Sequence, residues 1–217
     1  IQAAPKSHLD LNDDYTYLVT RGCSGIGLKV AQWLVSVHGV HSIVLTRRSP
    51  LQEDAKIAIP AMKSLGAKVT VVKTDIGVKT DIARLFDTLG TLPQLRGVVH
   101  AAGVISDRPI QKIRKANYER VVAAKVTGTW WLHQYSKDIP LDFFLVFSSA
   151  ASTIGTPGQV NYAAGNAYMD GLMHNRAKNN LVATSINWGP WDEVGMAARD
   201  HSVNHKISDT GMRGLSV

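Results

Sequence analysis

The sequence predicts one α/β domain built on a doubly wound parallel sheet with helices on both of its faces. Strand-like apolar runs alternate with helical patterns along most of the chain, which is typical of parallel sheets with helical crossovers. One of these runs, Phe143–Phe147, is apolar throughout, as expected for a strand buried on both faces. The 217 residues, 45% of them hydrophobic, suffice for one large core.

The elements follow in order from these patterns. The first strand is predicted over Tyr15–Thr20 and the first helix over Leu28–His38, which has apolar residues at helical spacing on one face. The later strands are predicted at Ser42–Thr46, Lys68–Lys73, Gly97–His100, Phe143–Phe147 and Ala183–Asn187. The later helices are predicted at Asp54–Leu65, Asp81–Leu89 and Asn117–Tyr135, followed by a helix that carries Tyr162. We expect Pro60 to disturb the second helix, and the segment around Gly155 and Gly158 to be flexible.

The composition argues against several classes of protein. No apolar stretch approaches a membrane-spanning length. Residues 1–14 lack the layout of a signal peptide, and because they are polar we expect a linker or disordered arm there. Cys23 is the only cysteine, which excludes a disulfide within this chain and fits a cytoplasmic setting. The eight histidines show no ligand spacing, so we expect no metal. The net charge of +7 is scattered and comes without a base-reading motif, so it indicates a solvated basic surface or, as the alternative, attraction to a phosphorylated cofactor or an acidic protein, and it does not indicate nucleic-acid binding.

Polar side chains follow the buried strand at Phe143–Phe147 and indicate a chemical site. Ser148 and Ser149 come directly after the run, and the next helix carries Tyr162 and, four residues later, Asn166. Residues four apart lie on one helix face, and ligands of open α/β sheets bind outside the carboxyl ends of the strands. We therefore expect a phenol and a carboxamide to face the two serine hydroxyls.

A glycine-containing turn, residues 21–27, joins the first strand to the first helix. A turn of this kind either is a plain tight turn or places a dinucleotide pyrophosphate at a helix N-terminus. The second strand ends in Arg47 and Arg48, which would suit a 2′-phosphate and favour NADPH over NADH unless they are simply solvated. Asp75, at the end of the third strand, either binds an adenine amine or caps the next turn.

Seven motifs together identify a family resemblance: TYLVT-x-GxxGIG, LTRR, HAAGV, AAKVTGTWWLH, DFFLVFSSAAS, GTPGQVNYAAGNAYMD and INWGPWDEVGMAA. They cover residues 15–198, and the chain resembles the ketoreductase domain of a polyketide synthase, in the short-chain dehydrogenase/reductase superfamily. The resemblance implies a Rossmann-like, NADPH-binding catalytic domain over residues 15–198 and a truncated C-terminal lid or tail over residues 199–217. It also implies that the chain is part of a larger synthase, with neighbouring synthase domains and an acyl carrier protein as partners.

The resemblance implies a role for each catalytic residue. Tyr162 matches the proton donor, and Ser149, 13 residues earlier, matches the hydroxyl that binds the same substrate oxygen. The lysine that ordinary short-chain dehydrogenases carry four residues after the tyrosine is Asn166 here, and Lys125 on the preceding long helix takes its place, as in the synthase ketoreductases. We expect a cationic Lys125 to pull the pKa of Tyr162 down from about 10 toward neutrality.

The resemblance also implies which residues bind the NADPH. They are Thr20, Gly22, Cys23, Ser24, Gly25, Ile26, Gly27, Arg47, Arg48, Asp75, Ile76, Ala101, Ala102, Gly103, Lys125, Tyr162, Pro190 and Trp191. The implied reaction is the reduction of a carrier-bound β-ketoacyl thioester to the β-hydroxyacyl thioester. A fatty acid synthase ketoreductase shares nearly every motif and stays an alternative. A degenerate, non-catalytic domain of the same fold is the other alternative.

Three positions depart from the family pattern. Arg21 stands where the family turn has glycine, and we expect cofactor binding to survive because the other three glycines of the turn remain. Residues 104–107 keep only the second aspartate, Asp107, of the leucine-aspartate-aspartate motif of one stereochemical class. Ile154 replaces the tryptophan of the opposite class, so the motifs lean toward the D-hydroxy product.

Overall fold

The computed structural model describes Leu11, residues 14–191 and residues 214–215 of the chain. Its strands are β1 Thr16–Thr20, β2 Ser42–Arg47, β3 Lys68–Lys73, β4 Leu95–His100, β5 Phe143–Ser149 and β6 Thr184–Trp188. They form one sheet in the order β3-β2-β1-β4-β5-β6, and every neighbouring pair is parallel. The predicted doubly wound parallel sheet is therefore confirmed.

Seven α-helices connect these strands in the described part of the chain. They are α1 Gly25–Ser36, α2 Glu53–Ser64, α3 Lys79–Leu89, α4 Lys115–Val122, α5 Gly128–Ser136, α6 Ala151–Ile154 and α7 Val160–Lys178. A short 3₁₀ turn, Ile110–Lys112, precedes α4. Between α4 and α5 the helical chain continues through a π-helical stretch, Ala123–Thr127, which we call the π segment.

The central strand β1 shows how the sheet separates two hydrophobic cores. Tyr17 and Val19 pack on one face with residues of α1 and α2. Leu18 points to the opposite face and packs with residues of α3, α5 and α7. This alternation is the two-residue period of a strand, and burial of both faces explains why the strand sequences are continuously apolar.

The structure corrects two of the predicted helices. Helix α1 begins at Gly25, because the glycine turn itself forms the first helical turn, whereas the prediction began it at Leu28. Helix α2 is continuous over Glu53–Ser64 with Pro60 inside it, so the expected disturbance is absent from the assigned helix.

Two segments near the site differ from their prediction. The predicted long helix over Asn117–Tyr135 is in fact α4, the π segment and α5 in succession. The segment expected to be flexible after the two serines begins with the short helix α6, and Gly155 and Gly158 follow with positive φ angles of 70° and 80°. The glycines therefore form specific left-handed turns that lead into α7.

The strand order places the candidate site at a switch point of the sheet. Strand β1 lies between β2 and β4, so the connections that leave its two sides wind in opposite directions. The crevice at the carboxyl ends of β1 and β4 is where open α/β sheets bind their ligands. The candidate residues at the ends of β1, β2, β4 and β5 all surround this crevice or its continuation.

Neither a membrane-spanning helix nor a metal-ion cluster occurs among the described residues. No described helix is long and apolar enough to cross a membrane. Within the same residues, no group of three or more histidine, cysteine, aspartate or glutamate side chains is arranged to hold a metal ion. The boundaries proposed at residues 1–14 and 199–217 fall almost wholly outside the described residues and stay predictions.

We predict that Gly97→Ala destabilises the fold by about 1–3 kcal/mol through overpacking. A Cβ at this buried position in β4 would lie 2.3 Å from Phe143 Cζ and 2.6 Å from Tyr17 Cδ1, between two stacked rings. Chemical denaturation measures the change. The matched control is Gly171→Ala on the exposed face of α7, where an added Cβ meets nothing within 4 Å. We expect the control to stabilise the chain by up to about 1 kcal/mol through helix propensity, and equal effects of the two substitutions would contradict the packing argument.

Candidate active site

The structure brings Lys125 of the π segment against Tyr162 near the start of α7. The Lys125 Nζ lies 5.1 Å from the centroid of the tyrosine ring and donates a hydrogen bond to the Phe147 carbonyl oxygen at 3.2 Å. The lysine side chain is only 2% exposed. A buried ammonium needs polar partners, and this one finds a strand-end carbonyl and the face of an aromatic ring.

Ser149 and Asn166 complete the predicted group around the tyrosine. Hydrogen bonds with the side chains of both residues lower the pKa of Tyr162, although burial, which raises it, is the larger effect. Asn166 is fully buried, and its Nδ2 donates to the Tyr162 carbonyl oxygen at 2.8 Å. The Ser148 hydroxyl donates to the Asn166 carbonyl oxygen at 3.4 Å. Asn166 therefore also anchors the backbone of α7 to the end of β5.

One electrostatic expectation from the sequence is wrong. Burial raises the pKa of Tyr162 above its ordinary value, so the tyrosine in this structure is a weaker acid than expected. Burial also lowers the pKa of Lys125 to about 7, while the charge of Asp170 opposes this shift and that of Arg21 adds to it. The reason is that both groups share one desolvated space, which disfavours the phenolate and the ammonium alike when each is considered alone.

A cleft of about 170 Å³ lies beside this group, at the carboxyl ends of β1 to β4. Many of the predicted cofactor-binding residues line it: Cys23, Ser24, Arg47, Arg48, Asp75, Ile76, Ala102 and Gly103. Ala124 of the π segment lines it as well, so the cleft reaches the residue before Lys125. The predicted dinucleotide site and the predicted catalytic group are thus continuous in space.

The glycine turn lines the cleft and leaves no room for a side chain at Gly22 or Gly27. A Cβ at Gly22 would lie 2.7 Å from Leu45 Cδ2 and 2.8 Å from the Val19 carbonyl oxygen. A Cβ at Gly27 would lie 2.6 Å from the Arg21 carbonyl oxygen, and Gly25 has a φ of 53°. The turn is therefore packed as tightly as a pyrophosphate-binding turn requires, with the N-terminus of α1 at its end.

Arg21 crosses the cleft from this turn. Its φ of 53° is left-handed, a conformation that costs a non-glycine residue about 1–2 kcal/mol. Its Nη1 donates to the Gly103 carbonyl oxygen at the end of β4, and its Nε donates to Ser24 Oγ at 3.4 Å. The guanidinium thus lies between the arginine-rich end of the cleft and the Lys125–Tyr162 pair.

The two arginines at the end of β2, Arg47 within the strand and Arg48 directly after it, are placed differently. Arg47 donates through Nη1 to the Ser49 carbonyl oxygen at 2.8 Å, and its Nε is buried without a hydrogen-bond partner in the described structure. Arg48 lies 3.7 Å from the Asp75 carboxylate. Asp75 Oδ1 accepts a hydrogen bond from Gly77 N at 2.9 Å, so the structure shows its turn-capping role, and a role toward adenine stays a prediction. The donor left open on Arg47 fits an anionic ligand group.

The Asp170 carboxylate on α7 also acts on Lys125, although this residue was not among the predicted site residues. Asp170 accepts hydrogen bonds from Ser185 Oγ and from Asn187 Nδ2, the latter at 2.9 Å. It lies on α7 eight residues after Tyr162, and its charge favours the ammonium form of Lys125. The signal was present in the sequence, because Tyr162, Asn166 and Asp170 follow one another at four-residue spacing on one helix face.

Asp107 and Ile154, the two residues from which the sequence predicts product stereochemistry, lie near the start of α7 in different environments. Asp107 Oδ2 accepts a hydrogen bond from Gln159 Nε2 at 2.8 Å, and Ile154 is 66% exposed.

Pro190 and Trp191, which were predicted to bind the cofactor, follow β6, and the centroid of the Trp191 ring lies 5.0 Å from that of the Trp188 ring. The motif residues 192–198 lie outside the described part of the chain.

Comparison with known proteins gives concordant matches. The family model of the KR domain matches residues 15–193. One component of the phenolphthiocerol/phthiocerol polyketide synthase of Mycobacterium tuberculosis is 42% identical over 194 residues, which are 88% of this chain and 10% of that protein. Another M. tuberculosis relative, 38% identical over 219 residues, 98% of this chain and 13% of its own length, is a type I phenolphthiocerol synthesis polyketide synthase whose name describes it as inactive. The chain thus spans about a tenth of the length of these curated relatives.

The solved structures agree with the sequence matches. The structure titled A-type ketoreductases from modular polyketide synthase has a TM-score of 0.91 and 34% identity, covering 100% of this chain and 46% of that one. A ketoreductase domain from the bacillaene assembly line has a TM-score of 0.87 and 32% identity, covering 96% of this chain and 52% of that one.

Proposed function

The chain belongs to the KR-domain family, the ketoreductases of polyketide synthases, and on that basis we propose that it reduces β-ketoacyl thioesters with NADPH. The product is the β-hydroxyacyl thioester. The observation that carries the proposal is the buried contact between Lys125 and Tyr162. This contact lies beside a cleft that is lined by residues of the glycine turn. A reductase needs a proton donor next to its nicotinamide, and the contact of Tyr162 with Lys125 beside the cleft supports this role for the tyrosine.

Tyr162 is the proton donor to the carbonyl oxygen of the substrate. A nicotinamide dinucleotide held by the cleft residues would supply a hydride for the carbonyl carbon, and with the proton from Tyr162 this would convert the ketone to the alcohol. The Ser149 hydroxyl donates a hydrogen bond to the same oxygen and stabilises the negative charge that develops on it. Asn166 holds the helix turn that carries Tyr162 through its hydrogen bond to the tyrosine carbonyl oxygen.

Lys125 makes the proton transfer feasible in spite of the burial of Tyr162. Burial lowers the pKa of Lys125 to about 7, so an appreciable fraction of the ammonium is present at neutral pH. When the tyrosine gives up its proton, the new phenolate lies beside the ammonium and the two opposite charges stabilise each other. Burial makes each charge unfavourable when it is present alone. Once the phenolate forms, the attraction between the two opposite charges offsets this cost.

The cofactor preference rests on the cleft residues at the carboxyl end of β2. Arg47 and Arg48 line the cleft, where a carboxylate that would bind a ribose 2′-hydroxyl is expected in NADH-dependent domains. The buried Nε of Arg47 is an unfilled donor, and a 2′-phosphate is the group of NADPH that would use it. The residues present therefore fit NADPH.

The substrate is proposed to arrive on an acyl carrier protein of the same synthase. The curated relatives are polyketide synthases, which supports this host over a fatty acid synthase. The thioester carbonyl chain must then reach Tyr162 and the Ser149 side chain, which hydrogen-bonds to the tyrosine. The net charge of +7 suits an acidic carrier or neighbouring domain.

A second candidate is a structural domain of the synthase that does not bind the cofactor. The observation that favours it is Arg21, which lines the cleft and whose guanidinium donates a hydrogen bond to the Gly103 carbonyl oxygen. The name of one curated relative contains the word inactive, which supports the second candidate. Cofactor binding by the unaltered chain separates the two candidates.

We predict that Tyr162→Phe lowers kcat at least 100-fold because it removes the proton donor, while the ring that contacts Lys125 remains. Loss of NADPH absorbance with a β-ketoacyl thioester surrogate measures the rate, and chiral analysis of the product gives the stereochemistry. Tyr168→Phe is the matched control, since it removes a hydroxyl from the same helix. Turnover by Tyr162→Phe at the unaltered rate would disprove the assignment.

We predict that replacing Arg47 and Arg48 by alanine weakens NADPH binding about 10- to 100-fold and leaves NADH binding within about twofold, because only NADPH carries the 2′-phosphate. Equilibrium titration with both dinucleotides measures the ratio. The control replaces Lys56 and Lys63 by alanine on α2, which removes the same net charge away from the cleft. Parallel weakening of NADPH and NADH would show that the arginines do not read the 2′-phosphate.

We predict that the unaltered chain binds NADPH and that Arg21→Gly changes the dissociation constant by less than about tenfold, since Gly22, Gly25 and Gly27 keep the turn intact. NADPH fluorescence titration measures both constants. Gly27→Ala serves as the negative control, because its Cβ would collide with the Arg21 carbonyl oxygen at 2.6 Å. Binding that appears only after glycine is restored at position 21 would favour the cofactor-free candidate.

A further inference from the structure

His100, the last residue of β4, is fully buried and takes no part in the proton transfer described above. Its ring Nδ1 lies 2.8 Å from Thr20 Oγ1 at the end of β1. Its ring Nε2 lies 3.1 Å from the Ala124 carbonyl oxygen in the π segment. The imidazole therefore joins the strand that starts the glycine turn to the segment that carries Lys125.

The chemistry of the partners fixes the direction of each hydrogen bond. A carbonyl oxygen only accepts, so Nε2 of His100 carries the hydrogen and donates to Ala124. Burial, together with the charge of Lys125, lowers the pKa of His100 to about 3, so the ring is neutral and its Nδ1 accepts. The Thr20 hydroxyl accordingly donates to Nδ1, and its oxygen accepts from Ala101 N at 3.1 Å and Ala102 N at 3.3 Å.

The π segment is held at two successive carbonyl groups. The Ala124 carbonyl accepts from His100, and the Lys125 carbonyl accepts from the Thr129 hydroxyl. On the opposite side, α7 approaches closely, since a Cβ at Gly165 would lie 3.2 Å from Lys125 Cβ. π-Helical turns are rare in helices overall, but those that do occur are frequently found at functional sites. Here it is the turn that places the Lys125 side chain under Tyr162, and His100 is its contact to the sheet.

We propose that His100 is a positioning residue whose neutral, Nε2-protonated ring fixes Lys125 beneath Tyr162 and links that geometry to the cofactor turn through Thr20. The link is direct, because Thr20 precedes Arg21 and its oxygen also binds the backbone of Ala101 and Ala102 at the mouth of the cleft. The kinetic part of this inference rests on the proposed reductase function, whereas the structural part concerns Lys125 alone.

The simpler role for His100 is that of a core residue that affects stability only. The two roles differ in what happens to Lys125. If His100 positions the π segment, loss of its Nε2 donor lets Lys125 move toward solvent, and its pKa rises from about 7 toward the ordinary lysine value. The other charged or titratable groups that act on Lys125 are Asp170 of α7, Arg21 of the glycine turn and the adjoining Tyr162 ring, and the substitutions leave all three in place.

The experiment compares two amide substitutions that retain different halves of the imidazole. His100→Gln places an N–H donor near the position of Nε2, whereas His100→Asn reaches only as far as Nδ1. We expect His100→Asn to lower kcat about 10- to 100-fold with KM within about threefold, because a displacement of about 1 Å in a catalytic group has effects of this size. We expect His100→Gln to recover most of the loss.

The control removes a buried imidazole elsewhere. His133 is buried on α5 and accepts a hydrogen bond from Arg176 Nη1 at 2.9 Å, so His133→Asn also disturbs a buried histidine. We expect it to lower the melting temperature without changing kcat. Ser136→Ala, which removes a buried hydroxyl bonded to the Leu132 carbonyl at 2.7 Å, is the second control should His133→Asn not fold.

A measurement independent of turnover completes the test. The titration of Lys125 is followed by the NMR shift of its ¹³Cε in the unaltered chain, in His100→Asn and in His100→Gln. We expect the pKa to rise in His100→Asn only, and the alkaline limb of the kcat profile to move upward with it. If the unaltered chain turns nothing over but the pKa of Lys125 still rises in His100→Asn, the result would count against the reductase function and for the positioning role. Unchanged kcat and unchanged Lys125 titration in His100→Asn would overturn the inference.

Discussion

The burial of the Lys125 ammonium is the constraint on which the rest of the site depends. A cation that is 2% exposed is unfavourable unless polar groups surround it. The Phe147 carbonyl at the end of β5, the Tyr162 ring on α7 and the more distant charge of Asp170 supply those groups from different elements. Burial still prevails and lowers the pKa of the lysine to about 7, so its protonation responds to any charge that forms beside it. In the proposed reaction, a phenolate on Tyr162 is that charge.

The parallel sheet makes this arrangement possible. Because all six strands run in one direction, their carboxyl ends meet at one edge, and the switch point between β1 and β4 opens a crevice there. His100 and Thr20 close the floor of that crevice between the two strands by their hydrogen bond. The His100 ring also lies within hydrogen-bond distance of the carbonyl oxygen of Ala124, which lines the cleft and precedes Lys125, so these hydrogen bonds connect the cleft to the Lys125–Tyr162 pair.

Much of the fold could be predicted from the sequence, since buried parallel strands are apolar throughout and β3 matches its predicted bounds of Lys68–Lys73. The spacing of Tyr162 and Asn166 was also visible, because both lie on one helix. The π segment was not, since it depends on contacts with His100 and Gly165 that are distant in sequence. The pKa of Tyr162 was predicted in the wrong direction for the same reason: desolvation depends on how three segments pack and not on which residue stands nearby.

The same constraint bears on whether the domain is an enzyme or a structural relic. Arg21 alone fits either role, because a left-handed arginine that bridges to Gly103 could equally give way to a dinucleotide or block it. Lys125 is different. A domain kept only for its fold would gain stability by replacing a buried, sparsely paired ammonium with an apolar side chain of similar volume. The site instead retains the ammonium, the carbonyl that holds it and the π-helical turn that directs it at Tyr162. The cost of that arrangement is explained by proton transfer and not by packing, which favours the reductase.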